Sequence, residues 1–513
     1  MYPEVWRQFC EVAAVAPDLP AVLQGDRVLS YGALRAGASA VARHLAAKGA
    51  GRGERAVIWA ENSPEMATAV LGTLAAGAIP VFVNALAPAS HATIAIERTG
   101  ARAVFAEAAA LARLGFDGLA IDLSRLPDPS GAADLVPPDT GRTAQDVASI
   151  VFTSGSTGLP KGVAQSHANL VWGCGAMGRI LGLGAGERLL GAIPWAFDYG
   201  WGQLLSTFLL GAAHILPTAK GGIGACEAIA RHRPTVLPGV PALFADLLRG
   251  VAPIRETPTD SIRVITNTGS KIPAGLFEDL LGTFPEARVS LNYGLTETYR
   301  SASLPFAQAR QFPTSVGFAL PGAAISVIDP EGRDCAPGEV GEVIHRGAGV
   351  FLGYWGDAEK TAQSLRPDPL HATAGIPPAN AVFTGDLGWK DEGGRLYIEG
   401  RRDRQIKSMG VRVSPDEIER LIEATGLVKE VAVIGLPHDV VGQQVAAIIT
   451  PKAPGVETLR ALKKSARETM SPYMQPMIWR EVDRLPRNPN GKIDYVAITA
   501  EMTAPAREGA GAS

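Results

Sequence analysis

Ala148-Ser149-Ile150-Val151-Phe152 runs directly into Thr153-Ser154-Gly155-Ser156-Thr157-Gly158-Leu159-Pro160-Lys161-Gly162. The first five residues are a short apolar run, which reads as a buried strand. The loop after it holds hydroxyls, glycines and one lysine. Such a loop offers backbone N–H groups, side-chain O–H groups and an ammonium to a polyanion, and so reads as a triphosphate clamp. It is not the common P-loop, which needs Gly, four residues, Gly-Lys and then Ser or Thr. Counted from Gly155, Pro160 takes the second glycine position and Gly162 takes the hydroxyl position. The hydroxyl that binds Mg²⁺ in P-loop proteins is therefore missing. The competing reading is a solvated loop of turn formers. A loop that leaves a buried strand and carries one Pro-Lys-Gly fits the clamp better.

Around this stretch, strands alternate with helices. Val57-Ile58-Trp59 predicts a strand, and Pro64 to Ala76 a helix ended by Gly77. Val81-Phe82-Val83 predicts the next strand, Ser90 to Thr99 a helix, and Val104-Phe105-Ala106 a strand. This alternation predicts βαβ units, mostly parallel sheet and an α/β fold. Leu126 to Arg142 is rich in Pro, Asp and Gly and reads as a surface connection. A charge cluster at Gly400-Arg401-Arg402-Asp403-Arg404 marks a change of pattern. Beyond it, Ser414-Pro415-Asp416-Glu417 carries an N-cap, a first-turn proline and a glutamate placed for a capping box. Strands are expected at Glu430–Gly435, Val445–Thr450 and Ile478–Val482, with a helix at Glu457–Thr469. The expected division is a large domain over 1–402, a small mobile α+β domain over 403–500, and a disordered tail over 501–513, Ala/Gly/Glu-rich from Ala504.

The chain has 513 residues, 46% hydrophobic and 19% charged, with net charge −3. That composition is globular and gives no electrostatic reason to expect nucleic acid or an anionic membrane as partner. Cys10, Cys174, Cys226 and Cys335 are far apart and form no C-x-x-C, which argues against a disulfide framework or structural zinc and fits a cytoplasmic protein. No apolar stretch is long enough to span a bilayer, and the N-terminus has no signal-peptide pattern.

Three further motifs carry chemistry. In Asn292-Tyr293-Gly294-Leu295-Thr296-Glu297, a Tyr face can stack on a purine, Thr can touch a phosphate and Glu suits Mg²⁺. In Thr384-Gly385-Asp386-Leu387-Gly388, a carboxylate between glycines can accept from ribose hydroxyls. In Asn490-Gly491-Lys492-Ile493-Asp494, a hairpin signal holds Lys492 at a loop tip. Each alone is also compatible with an ordinary turn or a solvated lysine.

Taken together, Thr153–Gly162, Tyr293–Glu297, Asp386, Gly400–Asp403 and Lys492 resemble in order and spacing the signature motifs of the adenylate-forming superfamily. That superfamily comprises acyl-CoA synthetases, adenylation domains of nonribosomal peptide synthetases, and luciferases. The likeness runs from Tyr31 to about Asp494. In Phe197-Asp198-Tyr199-Gly200, Arg300-Ser301 and Gly410-Val411-Arg412-Val413-Ser414-Pro415, the chain looks most like acyl-CoA ligase-like proteins of the exosortase-associated type. The resemblance implies a two-step reaction: a carboxylic or amino acid and ATP form an acyl adenylate, and a thiol then takes the acyl group. The implied cofactors are ATP, Mg²⁺ and CoA, or a phosphopantetheine on a carrier protein supplied in trans. It implies that Lys492 bridges the carboxylate and the α-phosphate and that Glu297 holds Mg²⁺ beside Thr296. Thr153, Ser154, Gly155, Ser156, Thr157, Gly158 and Lys161 would cradle the phosphates. Gly269, Ser270, Asn292, Tyr293 and Gly294 would line the nucleotide, and Asp386 and Arg401 would hold ribose. A domain rotation about Asp403 would exchange Lys492 for Lys407 in the second step.

The acid pocket is placed at Phe197, Asp198, Thr268 and Arg300, beside Thr266 and Asn267. Asp198 stands where amino-acid-activating domains bind the α-ammonium; a protein donor such as Arg300 would satisfy it equally. The composition of the pocket points to a small or polar acid. The leading function is therefore an AMP-forming acid–thiol ligase with CoA as default acceptor. The alternatives are a stand-alone amino-acid adenylating enzyme that loads a carrier protein, and a non-catalytic nucleotide-binding regulator, which would have no need of Lys492. Two features are set aside. Gly173-Cys174-Gly175-Ala176-Met177-Gly178 fits G-x-G-x-x-G, but it lies inside a helix expected from Ser166 to Leu181, where small residues serve close packing. His91, His167 and His214 are isolated and read as polar or capping residues, not as zinc ligands.

Overall fold

The computed structural model describes residues 4–130, 142–153, 161–269, 271–272, 274–371, 375–401, 405–486 and 493–503, with the backbone alone at 400, 401, 416 and 496. The described residues fall into two compact units, one on each side of the 402–403 junction.

In the first unit, alternation along single strands explains the layering. In Arg55–Ala60, Ala56, Ile58 and Ala60 enter one apolar cluster, while Val57 and Trp59 enter another. Successive side chains of a strand point to opposite faces, so this strand is covered on both. One face meets helices Val5–Val15, Tyr31–Ala47, Pro64–Ala75, His167–Leu181 and Asp198–Leu210. The other meets helices Ala89–Thr99 and Ala108–Leu114. Ser63 caps the Met66 N–H, Pro64 opens the helix, and Gly77 ends it at φ 69°. These are the start and stop signals that the sequence shows there.

The strand belongs to a seven-stranded sheet ordered Gly353–Tyr354, Lys161–Ser166, Val147–Thr153, Ile79–Asn84, Arg55–Ala60, Ala103–Ala106, Leu119–Asp122. Its βαβ part is parallel, and the Val147–Thr153/Lys161–Ser166 hairpin is antiparallel. A fourteen-stranded sheet carries a parallel run from Pro20–Gln24 to Arg288–Tyr293. It turns antiparallel after Tyr293, through Ala302–Ser303, Ser315–Ala319, Leu396–Arg401, Asn380–Lys390, Gly341–Gly347 and Ala323–Ile328. The expected, mostly parallel character therefore holds up to Tyr293, apart from the Pro20–Gln24/Arg27–Ser30 and Val147–Thr153/Lys161–Ser166 pairs.

The second unit is a five-stranded sheet with helices Pro415–Glu423, Val456–Thr469 and Tyr495–Thr503. Val431 and Val433 face one apolar cluster; Ala432, Ile434 and Leu436 face the other. The Ser414 hydroxyl accepts from the Glu417 N–H, as its capping pattern predicts. Residues 501–503, expected in the tail, instead end helix Tyr495–Thr503, where Ile498 and Met502, one helical turn apart, pack on the sheet. Residues 504–513 lie outside the described residues.

Candidate active site

The hairpin that brackets the phosphate loop places Thr153 opposite Lys161 in register. Ser154, Gly155, Ser156, Thr157 and Gly158 lie outside the described residues, as do Ser270, Asp403 and Lys492. Lys161 extends its ammonium over the Tyr354 ring, 5.0 Å from the centroid. The Tyr354 hydroxyl donates to Glu297 Oε1 at 2.8 Å. Tyr354 reaches this point because Gly353–Tyr354 pairs with Ala164 and Val163, one strand beyond the hairpin. Two residues from the expected set, 136 apart in sequence, are thus joined through a tyrosine that sequence reasoning missed. The available signal was Gly353-Tyr354-Trp355, an aromatic pair behind a glycine.

Thr296 and Glu297 sit in the loop after strand Arg288–Tyr293. Gln165 Nε2 donates to Thr296 O at 2.5 Å, and Phe351 N donates to Glu297 O at 2.9 Å. The loop ends in Tyr299, a fully buried residue at φ 56°. A tyrosine in this left-handed region costs about 1–2 kcal/mol. Burial holds it there: methyl groups at Gly173 or Gly202 would overlap the space that Tyr299 and Arg300 fill. The G-x-G-x-x-G pattern is thus a packing notch inside helix His167–Leu181, as read from the sequence. Gly178 leaves room for Leu210 in the same way.

Tyr293 is 6% exposed and its hydroxyl donates to Asp386 Oδ2 at 2.6 Å. Asp386 is fully buried and stands opposite Arg401 in the sheet register. Asn292 works as a stitch between strands: its Nδ2 donates to Thr266 Oγ1 at 2.8 Å and Asn267 O at 3.1 Å. Thr268 Oγ1 donates to Asn292 O at 3.3 Å, just before Gly269 at φ 85°.

Asp198 opens helix Asp198–Leu210, and Phe197 is the residue before it. Arg300 Nη1 donates to Asp198 Oδ2 at 2.6 Å, with both side chains 13% exposed. Burial pushes the Asp198 carboxyl up to about 6 against the pull of Arg300, and the Glu297 charge adds to the rise. Burial pulls the Arg300 guanidinium down, but Asp198, Tyr299 and Cys174 together hold it above its ordinary value. Tyr199, the next residue of helix Asp198–Leu210, donates to Thr266 O at 2.9 Å.

Lys407 lies in strand Ile406–Ser408 of the second unit, where its backbone N–H donates to Gln443 Oε1 at 2.8 Å. His167 accepts from Val5 N, and His214 lies between Trp195 Nε1 and Thr207 Oγ1. These are the polar roles expected of them. Among the described residues no group of three His, Cys, Asp or Glu could hold a metal ion by itself. The cysteines form no disulfide. No described helix is long and apolar enough to cross a membrane.

A layered α/β first unit followed by a small α+β unit is the architecture of adenylate-forming enzymes. ATP-bound MatB from Rhodopseudomonas palustris is similar in structure, with TM-score 0.70 at 27% identity, covering 98% of this chain and 99% of that one. The chain belongs to the AMP-binding enzyme family of the adenylate-forming superfamily, matching it over residues 9–355 and its C-terminal domain over 417–492. It is 28% identical to the 3-hydroxybenzoate–CoA ligase of Aromatoleum sp. strain CIB, over 93% of this chain and 92% of that protein. It is 30% identical to the L-proline–[L-prolyl-carrier protein] ligase of Streptomyces coelicolor, over 96% of both. The finer likeness to exosortase-associated proteins gains no support from these relatives.

Proposed function

We propose that this chain is an AMP-forming acid–thiol ligase acting on a small or polar carboxylic acid, with CoA as the acceptor. The observation that carries the reading is the Lys161–Tyr354–Glu297 contact at the start of strand Lys161–Ser166. ATP and the attacking carboxylate are both anionic, so the first step needs positive charge and fixed geometry. A carboxylate oxygen bonds to the α-phosphorus while the bond to the bridging pyrophosphate oxygen breaks. In the second step the thiol sulfur bonds to the acyl carbon, AMP leaves, and the thiol proton passes to solvent.

The residues fit Mg²⁺ in one specific way. Glu297 uses Oε1 for Tyr354, which leaves Oε2 as the second carboxylate oxygen. One carboxylate shared with substrate phosphates is how Mg²⁺ is commonly held. When bound, Mg²⁺ supplies charge against the phosphate oxygens. Lys161, with Thr153 and the loop between them, would grip the β- and γ-phosphates. Tyr293, Asp386 and Arg401 would hold the nucleoside, Lys492 would bridge the reacting groups, and Lys407 would serve the thiol step after rotation of the small domain about Asp403.

Asp198 already has a cation in Arg300 at 2.6 Å, which favours an acid without an α-ammonium. The second reading, an amino-acid adenylating enzyme that loads a carrier protein, draws on the burial of Asp198 and on the prolyl-carrier ligase relative. An ammonium would then have to displace the guanidinium. ATP–pyrophosphate exchange screened over aryl, aliphatic, dicarboxylic and amino acids separates the two, followed by CoA and carrier-protein acceptors. Asp198→Ala should depress exchange selectively for amino acids if the second reading holds. Lys492→Ala should abolish exchange yet spare thiol transfer from a supplied acyl adenylate. Near wild-type exchange in that variant would remove Lys492 from the chemistry. No exchange with any acid would favour a nucleotide-binding regulator.

A further inference from the structure

His345 lies on strand Gly341–Gly347, between Ile325 and Val382 of its neighbours, and is fully buried. An unpaired imidazole is costly in such a buried place, so its two ring nitrogens need partners. Nε2 is 2.8 Å from Ala348 O, and Nδ1 is 3.1 Å from Ser301 Oγ. A carbonyl can only accept, so the neutral ring carries its hydrogen on Nε2 and accepts at Nδ1. Burial lowers the histidine to about 4, so the ring is neutral near pH 7. Ser301 Oγ also donates to Thr298 Oγ1 at 2.8 Å, so its one hydrogen is shared between that oxygen and Nδ1, and Thr298 Oγ1 accepts from Leu295 N at 3.1 Å. Leu295, Thr298 and Ser301 span the loop that carries Thr296, Glu297 and Arg300.

The other end of the imidazole grips a second segment. After Ala348, Gly349 passes so close to Thr298 O that a Cβ there would overlap it. Phe351 N then donates to Glu297 O, and Tyr354 donates to the Glu297 carboxylate. Both segments that fix Glu297 are therefore tied to one buried ring.

We propose that His345 is a positioning residue that sets the Glu297 carboxylate by joining the Leu295–Ser301 loop to the Ala348–Tyr354 segment. The inference rests on the adenylating function proposed above. It touches no substrate; it acts through Ser301 and Ala348. Outer partners of this kind commonly change metal affinity or activity by about 10–100-fold.

The test compares His345→Val, which fills a strand site but removes both bonds, with His345→Asn, whose amide keeps a polar partner for Ser301. MgATP affinity is measured by calorimetry, and ATP–pyrophosphate exchange is measured with the best acid, each as a function of Mg²⁺, with Tm as the folding control. His345→Val should weaken MgATP binding and lower kcat by about tenfold or more, with KM for the acid within about threefold. His345→Asn should recover most of both. Unchanged MgATP affinity and kcat in His345→Val would overturn the proposal. So would equal losses in the two variants, or a change confined to KM for the acid. A wild-type protein that binds MgATP but exchanges with no acid would sink the enzymatic reading, while the affinity comparison would still decide the role of His345.

Discussion

Glu297 is held from two directions, by Phe351 N at its carbonyl and by the Tyr354 hydroxyl at its carboxylate. Removing the charge and removing the holder should therefore differ in degree. Glu297→Gln should lower exchange by about 100-fold, on the order of 3 kcal/mol in the transition state. Tyr354→Phe keeps the ring under the Lys161 ammonium and loses the hydroxyl, so its loss should be nearer tenfold and partly restored by excess Mg²⁺. Steady-state exchange across a Mg²⁺ series checks both; equal losses would mean that the tyrosine does more than orient Glu297. Glu297 and Lys161 stood out as candidates in the sequence because glutamate and lysine are the residue types that phosphate chemistry demands. Tyr354 was not, because a tyrosine has many uses and its partner stands 57 positions earlier. Asp198 shows a different limit. The sequence allowed either a substrate ammonium or Arg300 as partner, and only the 2.6 Å contact puts the guanidinium there.

Helices His167–Leu181 and Asp198–Leu210 serve the site through absent side chains. Gly173 and Gly202 clear the volume that Tyr299 and Arg300 fill, and burial of Tyr299 offsets its left-handed backbone. Gly173→Ala should therefore destabilise the first unit by about 1–3 kcal/mol, seen as a lower Tm, and should reduce exchange because the Glu297 loop shifts with Tyr299. A Tm unchanged within error would refute the notch. In the second unit the Ser414 cap is a simpler case: Ser414→Ala removes the acceptor for Glu417 N and should cost about 1 kcal/mol. The element boundaries near both sites were readable, since caps, prolines and glycines act locally. The tight approach of Gly173 to a ring 126 positions later was not, because a small residue in a helix announces packing but not its partner.

At the scale of the molecule, buried titratable groups of opposite sign set the acid stability of the first unit. Burial lowers His167 and His345 to about 4 and His214 to about 3. Each remains neutral when folded but takes up a proton on unfolding below its ordinary value of 6.5. Their stabilising effect is complete above that value and is lost as pH falls through it towards about 4. Asp198, raised to about 6, acts in reverse and favours the folded state as pH falls below that point. Three histidines outweigh one aspartate, so unfolding near pH 5 should take up roughly two protons from these groups. Urea midpoints followed by tryptophan fluorescence should fall from pH 6.5 to pH 4.5; a flat profile would contradict the assignment.

The sequence by itself determined the α/β alternation of the first half, the superfamily and the residue types suited to its chemistry. These are written in local periodicity and in short ordered motifs, which need no knowledge of distant contacts. Tertiary structure alone decided that the sheet turns antiparallel after Tyr293, that Asp198 is paired with Arg300, and that Tyr354 and His345 converge on the loop that ends in Tyr299. Those outcomes depend on strand register and helix packing between segments far apart in the chain, where a shift of one residue would send each side chain to the opposite face.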